Sequence, residues 1–140
     1  SNKYQIKIIV NNYFGYAISS YKRINIIFTL IIIFIFFYSF YLPYLSLSIV
    51  SSCEGMPLIY CKSRGLTRAF SEIVRFNFAE ALHYNSYSIR LFSFFLIQLF
   101  LRIGINPMLN SNNYKKTVYL DIIFSTLFFI FSFYKLVIQP

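Results

Sequence analysis

The run Ile26-Ile27-Phe28-Thr29-Leu30-Ile31-Ile32-Ile33-Phe34-Ile35-Phe36-Phe37-Tyr38-Ser39-Phe40 decides the fold. A helix crossing the ~30 Å hydrocarbon core of a bilayer needs about 20 residues. The flanks supply the balance, because Ile24 to Val50 holds no carboxylate, amine or guanidinium. Residues 24–50 therefore read as a first membrane span. Lys22 and Arg23 stand before it, Tyr38, Tyr41 and Tyr44 supply an interfacial belt, and Pro43 kinks or ends the helix.

Two further spans follow from the same reasoning. Tyr87 to Ile105 is apolar and stops near Asn106-Pro107; Val118 to Ile138 is the third, with Asp121 near its start and Lys135 near its end. Arg90 and Arg102 lie twelve residues apart, about 18 Å along a helix axis, so each is expected to snorkel towards a different interface. Asp121 has Lys115, Lys116 or Arg102 as candidate partners, and a proton or ion path would need a chain of polar residues, which the spans are expected to lack. Ser125, Thr126 and Ser132 offer small polar contacts for helix association.

Outward from the spans, the N-terminal segment places Ile6, Ile9, Val10, Tyr13, Phe14, Ala17, Ile18 and Tyr21 at one helical face, with Lys7, Asn11, Gly15, Ser19 and Lys22 opposite. That pattern suits a helix lying in the membrane interface, or one packed on the rest of the protein. After Gly65, the apolar positions Leu66, Ala69, Phe70, Ile73 and Val74 again share a face, with Arg68, Ser71, Glu72 and Arg75 opposite. Glu72 stands at pairing distance along the helix from Arg68 and Arg75. Asn77-Phe78-Ala79-Glu80 has the form of a capping box, with Asn77 and Glu80 as structural cap residues and a new helix starting at Phe78.

The expected fold is an all-α integral membrane protein: three transmembrane helices, an N-terminal amphipathic helix, and an amphipathic helix between spans one and two. As one membrane domain it divides into a basic helix over 1–23, span 24–50, motif loop and helix 51–86, span 87–105, loop 106–117 and span 118–138. Composition agrees, being 58% hydrophobic and 12% charged, where soluble domains carry roughly 25% charged residues. The net charge of +9 would suggest nucleic acid in a soluble domain. Here the cations fall at the edges of apolar runs, where they meet anionic headgroups, so membrane lipids are the expected partner and nucleic acid is not. Lys and Arg divide seven to six between the two sides and fix no orientation. The start, Ser1 to Lys7, shows no cleavable signal pattern.

From Cys61 to Asn85 the chain resembles the bacterial membrane-protein family called domain of unknown function 2752, whose hallmark is Cys-Pro-x-Cys-Gly-x-Thr-Arg-Ala with a later Ala-rich segment and Asn-Pro. Cys61, Gly65, Thr67, Arg68 and Ala69 match the first block, and Ala81 and Asn85 the later positions. Lys62 stands in place of the family's Pro, Arg64 in place of its second Cys, and Ser86 in place of the final Pro. Without a Cys-x-x-Cys pair, no thiol redox centre or zinc half-site follows. The resemblance implies a small multi-pass protein of the bacterial cytoplasmic (inner) membrane and carries no activity.

Within that motif, Gly65 can take positive φ, Thr67 can bond free amides of the first helical turn, and Arg68 offers a forked donor for phosphate, carboxylate or helix-end carbonyls. Cys61, Gly65, Thr67, Arg68 and Asn85 are thus the candidate partner- or headgroup-binding residues. The alternative for Arg68 is a tie between the loop and neighbouring helix ends. Cys53, Cys61 and His83 lack zinc-like spacing, and Glu72, Glu80 and His83 are weak as an acid–base set. No catalytic group, metal site or cofactor is expected. The function expected is a non-catalytic subunit or accessory factor of a larger membrane complex, with other integral membrane subunits as partners. The alternatives are a small immunity or lipid-headgroup-binding protein and a thiol- or metal-dependent membrane enzyme.

Overall fold

The computed structural model describes residues 2–45 and 65–137, which form five α-helices with no strand among them. Three are long and apolar enough to cross a membrane: α1 (Asn2–Tyr41, followed by a 3-10 turn, Leu42–Tyr44), α4 (Ser88–Met108) and α5 (Tyr114–Val137). At 1.5 Å per residue they measure about 60, 31 and 36 Å. Two short helices, α2 (Leu66–Val74) and α3 (Phe78–Tyr84), lie between α1 and α4.

The chain runs up, down and up. Asn25 meets Asn106 while Phe36 stacks on Phe92, so α1 and α4 are antiparallel. Gln98 meets Ser125 while Phe94 meets Phe133, so α4 and α5 are antiparallel too. The central helix is α4, which packs against both α1 and α5. One end of the bundle holds the 109–113 loop and the start of α5. The other holds α2, α3 and the C-terminal end of α1.

The first helix corrects the expected division at Arg23. It continues unbroken through Lys22 and Arg23, so the anticipated separate N-terminal helix is the first part of α1. No proline interrupts residues 2–41, and a single Gly15 costs only about 1 kcal/mol in a helix interior. Phe14 reaches Tyr114 at the start of α5, and residues 2–13 are all exposed, extending past that contact. Where Pro43 was expected to act, the helix does end: Tyr41 passes into the 3-10 turn, with Leu45 donating to the Leu42 carbonyl at 3.2 Å. Residues 46–50 of the expected span lie outside the described residues.

The α2–α3 hairpin closes the opposite end with an apolar cluster. Ala69, Phe70 and Ile73 of α2, Ala81 of α3 and Leu91 of α4 are buried together, with Ile35, Phe92, Phe95 and Phe133 packed around them. Phe70 sets its edge against Phe92 and Phe95, at centroid distances of 5.4 and 6.0 Å. Offset and edge contacts of this kind contribute about 0.5–1.5 kcal/mol beyond burial.

Gly65 begins α2 in the left-handed region, with φ at 76°. A Cβ there would stand 2.6 Å from the Tyr84 carbonyl oxygen, at the end of α3. Both the backbone conformation and the close approach require glycine. Gly65→Ala is expected to lower stability by about 1–3 kcal/mol. Thermal unfolding in detergent followed by circular dichroism checks this, and a wild-type midpoint would contradict it.

Candidate functional site

Polar residues recur along each long helix at the spacing of one face: Tyr21, Asn25 and Thr29 on α1, Gln98, Arg102 and Asn106 on α4, Asp121 and Ser125 on α5. The antiparallel packing turns these three stripes towards one another. At their centre Arg102 and Asp121 form an ion pair, with side chains only 10% and 4% exposed. The guanidinium grips the carboxylate with two nitrogens, Nη1 donating to Oδ2 at 2.7 Å and Nη2 to Oδ1. Nη1 also donates to Asn25 Oδ1 at 2.8 Å, and Nη2 to Gln98 Oε1 and Ser125 Oγ at 3.1 and 3.0 Å.

The remaining members complete the network. Tyr21 donates its hydroxyl to Asp121 from α1, and Ser125 donates to Asp121 Oδ1 at 3.2 Å within α5, so with Arg102 of α4 the carboxylate is held from all three long helices. Asn25 donates from Nδ2 to Asn106 Oδ1 at 2.9 Å, and Asn106 in turn donates to the Lys22 carbonyl at 3.2 Å. Gln98 and Ser125 bond each other across the α4–α5 contact. An ion pair buried among apolar helices is tolerated only when such extra bonds satisfy its remaining donors and lone pairs.

This cluster overturns two expectations. Arg102 does not snorkel to an interface; it is buried and paired, because α5 delivers an acceptor to its level within reach of a short turn of chain. The polar chain that the spans were expected to lack is present once their faces are brought together. Of the three candidate partners for Asp121, Arg102 is the one that pairs. Ser125 makes the expected inter-helix contact, Ser132 is buried without a hydrogen-bond partner, and Thr126 is exposed.

At the other end, the motif residues separate. Gly65 and Asn85 come together through Tyr84: Gly65 abuts its carbonyl, and the next residue, Asn85, is 1% exposed. The Asn85 side chain accepts from the Tyr87 amide at 2.8 Å, turning the chain from α3 into α4, and Ser88 donates back to the Ala81 carbonyl at 3.3 Å. Thr67 and Arg68 are exposed on the outer face of α2. Cys53 and Cys61 lie outside the described residues, and His83 is exposed. Among the described residues, no three His, Cys, Asp or Glu side chains gather as a metal site would need.

The capping box at Asn77 and Glu80 is not formed. Asn77 does occupy the N-cap position, and its carbonyl accepts from Ala81 at 3.0 Å, but its side chain makes no cap bond. Its Nδ2 donates instead to Glu72 Oε2 at 2.9 Å. The cause lies in how α2 ends: Asn77 N donates to the Glu72 carbonyl and Phe76 N to the Ile73 carbonyl, a Schellman turn that draws Asn77 beneath Glu72. Glu80 remains in the first turn of α3, where the helix dipole favours a carboxylate.

Arg75, rather than Arg68, ties the hairpin to a helix end. Its Nη1 donates to the Ser71 hydroxyl and carbonyl at 2.5 and 2.9 Å, and its Nη2 donates to the Phe40 carbonyl in the last turn of α1. The guanidinium also lies over the Phe40 and Tyr44 rings, 5.1 and 5.9 Å from their centroids. Neither Arg75–Glu72 nor Arg68–Glu72 is an ion pair; among the described residues only Arg102–Asp121 is.

The chain matches no protein-family model, no curated protein and no solved structure.

If the polar stripes meet as described, Asn25→Cys with Asn106→Cys, in a chain whose Cys53 and Cys61 are changed to Ser, is expected to form an intramolecular disulfide on mild oxidation. Ile26→Cys with Asn106→Cys should not, because Ile26 faces outward. Equal cross-linking of the two pairs, read by gel mobility, would contradict the register.

Proposed function

We propose that this chain is a non-catalytic multi-pass membrane protein, inserted through α1, α4 and α5, which serves as a subunit or accessory factor of a larger membrane complex. Gly65, Leu66, Thr67 and Arg68, with the helix they open, are its docking surface. The observation that carries the reading is the contrast between two arginines on one short helix. Arg75 supplies the tie from the hairpin to the end of α1. Arg68 makes no hydrogen bond or ion pair with the described residues and stands exposed beside Thr67.

The platform beneath them is firm, because the opposite face of α2 buries Ala69, Phe70 and Ile73. A forked cation on a fixed helix suits a carboxylate or helix-end carbonyl of a neighbouring subunit. The buried polar cluster supports a structural role in the same way. Its central guanidinium spends its donors on Asp121, Asn25, Gln98 and Ser125, all groups of this chain. Outer faces rich in aromatic and branched residues, such as Phe34 at 70% and Leu127 at 63% exposed, are then covered by lipid or by the partner.

Mild-detergent purification from native membranes with mass spectrometry separates the two arginines. Arg68→Ala is expected to leave thermal stability within about 0.5 kcal/mol of wild type while partner recovery falls at least severalfold. Arg75→Ala is expected to destabilise the fold by about 1–3 kcal/mol through loss of its charged hydrogen bonds. A lone monodisperse protein with no co-purifying subunit would refute the subunit role. Unchanged recovery with Arg68→Ala would refute the docking surface.

A further inference from the structure

The turn between α2 and α3 presents an aromatic residue where the backbone favours glycine. Phe76 occupies the left-handed position that closes the Schellman turn of α2, with φ at 65°. Glycine or asparagine usually fills that position, and a bulky side chain there is strained. Burial within the chain does not compensate the strain, for the Phe76 ring is 81% exposed. Phe78 lies beside it, ring centroids 6.4 Å apart, and Leu82 follows one turn along α3; they are 48% and 45% exposed.

Three connections fix where this tip stands. The Schellman bonds and the Asn77–Glu72 contact hold the turn rigid. Arg75, the residue before Phe76, is bound to the Phe40 carbonyl and stacked over Phe40 and Tyr44, where the apolar stretch of α1 ends. The hairpin then leads directly into the first turn of α4, where Arg90 lies over the Phe131 ring. The tip therefore sits at the end of the bundle where α1 finishes and α4 begins, among arginines and aromatic rings, the composition that proteins place at the headgroup layer.

From this placement we infer that Phe76 and Phe78 form an interfacial anchor, a pair of rings embedded in the headgroup–acyl boundary of the bilayer. The inference rests on the reading that α1, α4 and α5 cross a membrane. Its occupant is lipid rather than protein because the tip is continuous with helix ends that the same boundary must cover, and because Arg90, in the first turn of α4 that the hairpin leads into, supplies a cation at that end of the bundle for anionic headgroups. An aromatic ring transferred from water into that boundary compensates a strained turn that glycine would close without strain.

The chain contains no tryptophan, so Phe76→Trp creates a single fluorescent reporter at the tip. The variant is reconstituted into phosphatidylcholine–phosphatidylglycerol vesicles whose acyl chains carry bromine either near the headgroup or near the chain end. Shallow bromine is expected to quench Trp emission at least twofold more than deep bromine, and aqueous iodide to quench it little. Phe78→Trp, at a helical position beside it, carries the same expectation should Phe76→Trp fail to fold. Phe34→Trp, on the outer face of α1 in mid-span, should show the reverse depth preference and tests insertion itself. Loss of bromine quenching at Phe34→Trp would overturn the membrane reading. Quenching at Phe34→Trp combined with iodide-accessible, bromine-insensitive emission at the tip would overturn the anchor alone and leave the rings to water or a protein partner.

Discussion

The buried pair between Arg102 and Asp121 is the constraint on which the arrangement of the long helices depends. Between helices in a bilayer there is no hydrophobic drive, since acyl chains are as apolar as leucine; association relies on close packing and on polar contacts. With the helices inserted as proposed above, Phe and Ile faces such as those of α1 and α5 are satisfied equally by lipid and admit many rotations. A charged residue admits few. An unpaired Arg or Asp in mid-helix costs about 3 kcal/mol in a bilayer, more than an edge-to-face aromatic contact contributes, so the pairing sets the rotation and register of α4 against α5. Tyr21 and Asn25 extend the same constraint to α1.

The two ends of the bundle are held by different physics. One end is joined by directional hydrogen bonds converging on a carboxylate. The other is joined by shape, through Phe70, Ile73 and Leu91 packed beneath the hairpin, and by one polar tie from Arg75 to the α1 terminus. The glycine at position 65 belongs to this second end, because only a residue without Cβ lets the start of α2 lie against the Tyr84 carbonyl. Asn85 then turns the chain into α4 and so sets the level at which Gln98, Arg102 and Asn106 arrive.

The helices were legible in the sequence because length and hydropathy speak residue by residue. The run from Ile26 to Phe40, the cap-like Asn77 and the breaker Pro43 each mark a boundary by local chemistry. What escaped such a reading depends on relations between distant segments. Arg102 looks like a snorkelling cation until an antiparallel α5 sets Asp121 beside it, nineteen positions along the chain. The signal available was the i, i+4 spacing of Gln98–Arg102–Asn106, Tyr21–Asn25–Thr29 and Asp121–Ser125 within apolar runs, which only gains meaning when the three stripes are considered together. Lys22 and Arg23 suggested an interface and a break, but charge does not stop a helix, and nothing in the backbone there does. Likewise the exchange of roles between Arg68 and Arg75 turns on which side of α2 meets the end of α1, a tertiary fact absent from the local pattern.

In this account the three long helices are a scaffold whose polar interior is committed to its own assembly, leaving the α2 face and the outer apolar surfaces for contact with the surroundings. What locks the scaffold energetically is the Arg102–Asp121 pair. The direct measurement is a double-mutant cycle with Arg102→Met and Asp121→Leu, read by thermal or denaturant unfolding of purified protein in detergent. Each single change strands a buried charge and is expected to cost about 3–5 kcal/mol, whereas the double change, which removes both charges at similar volume, should recover most of that loss. Two single variants as stable as the wild type, or losses that simply add in the double variant, would contradict the claim.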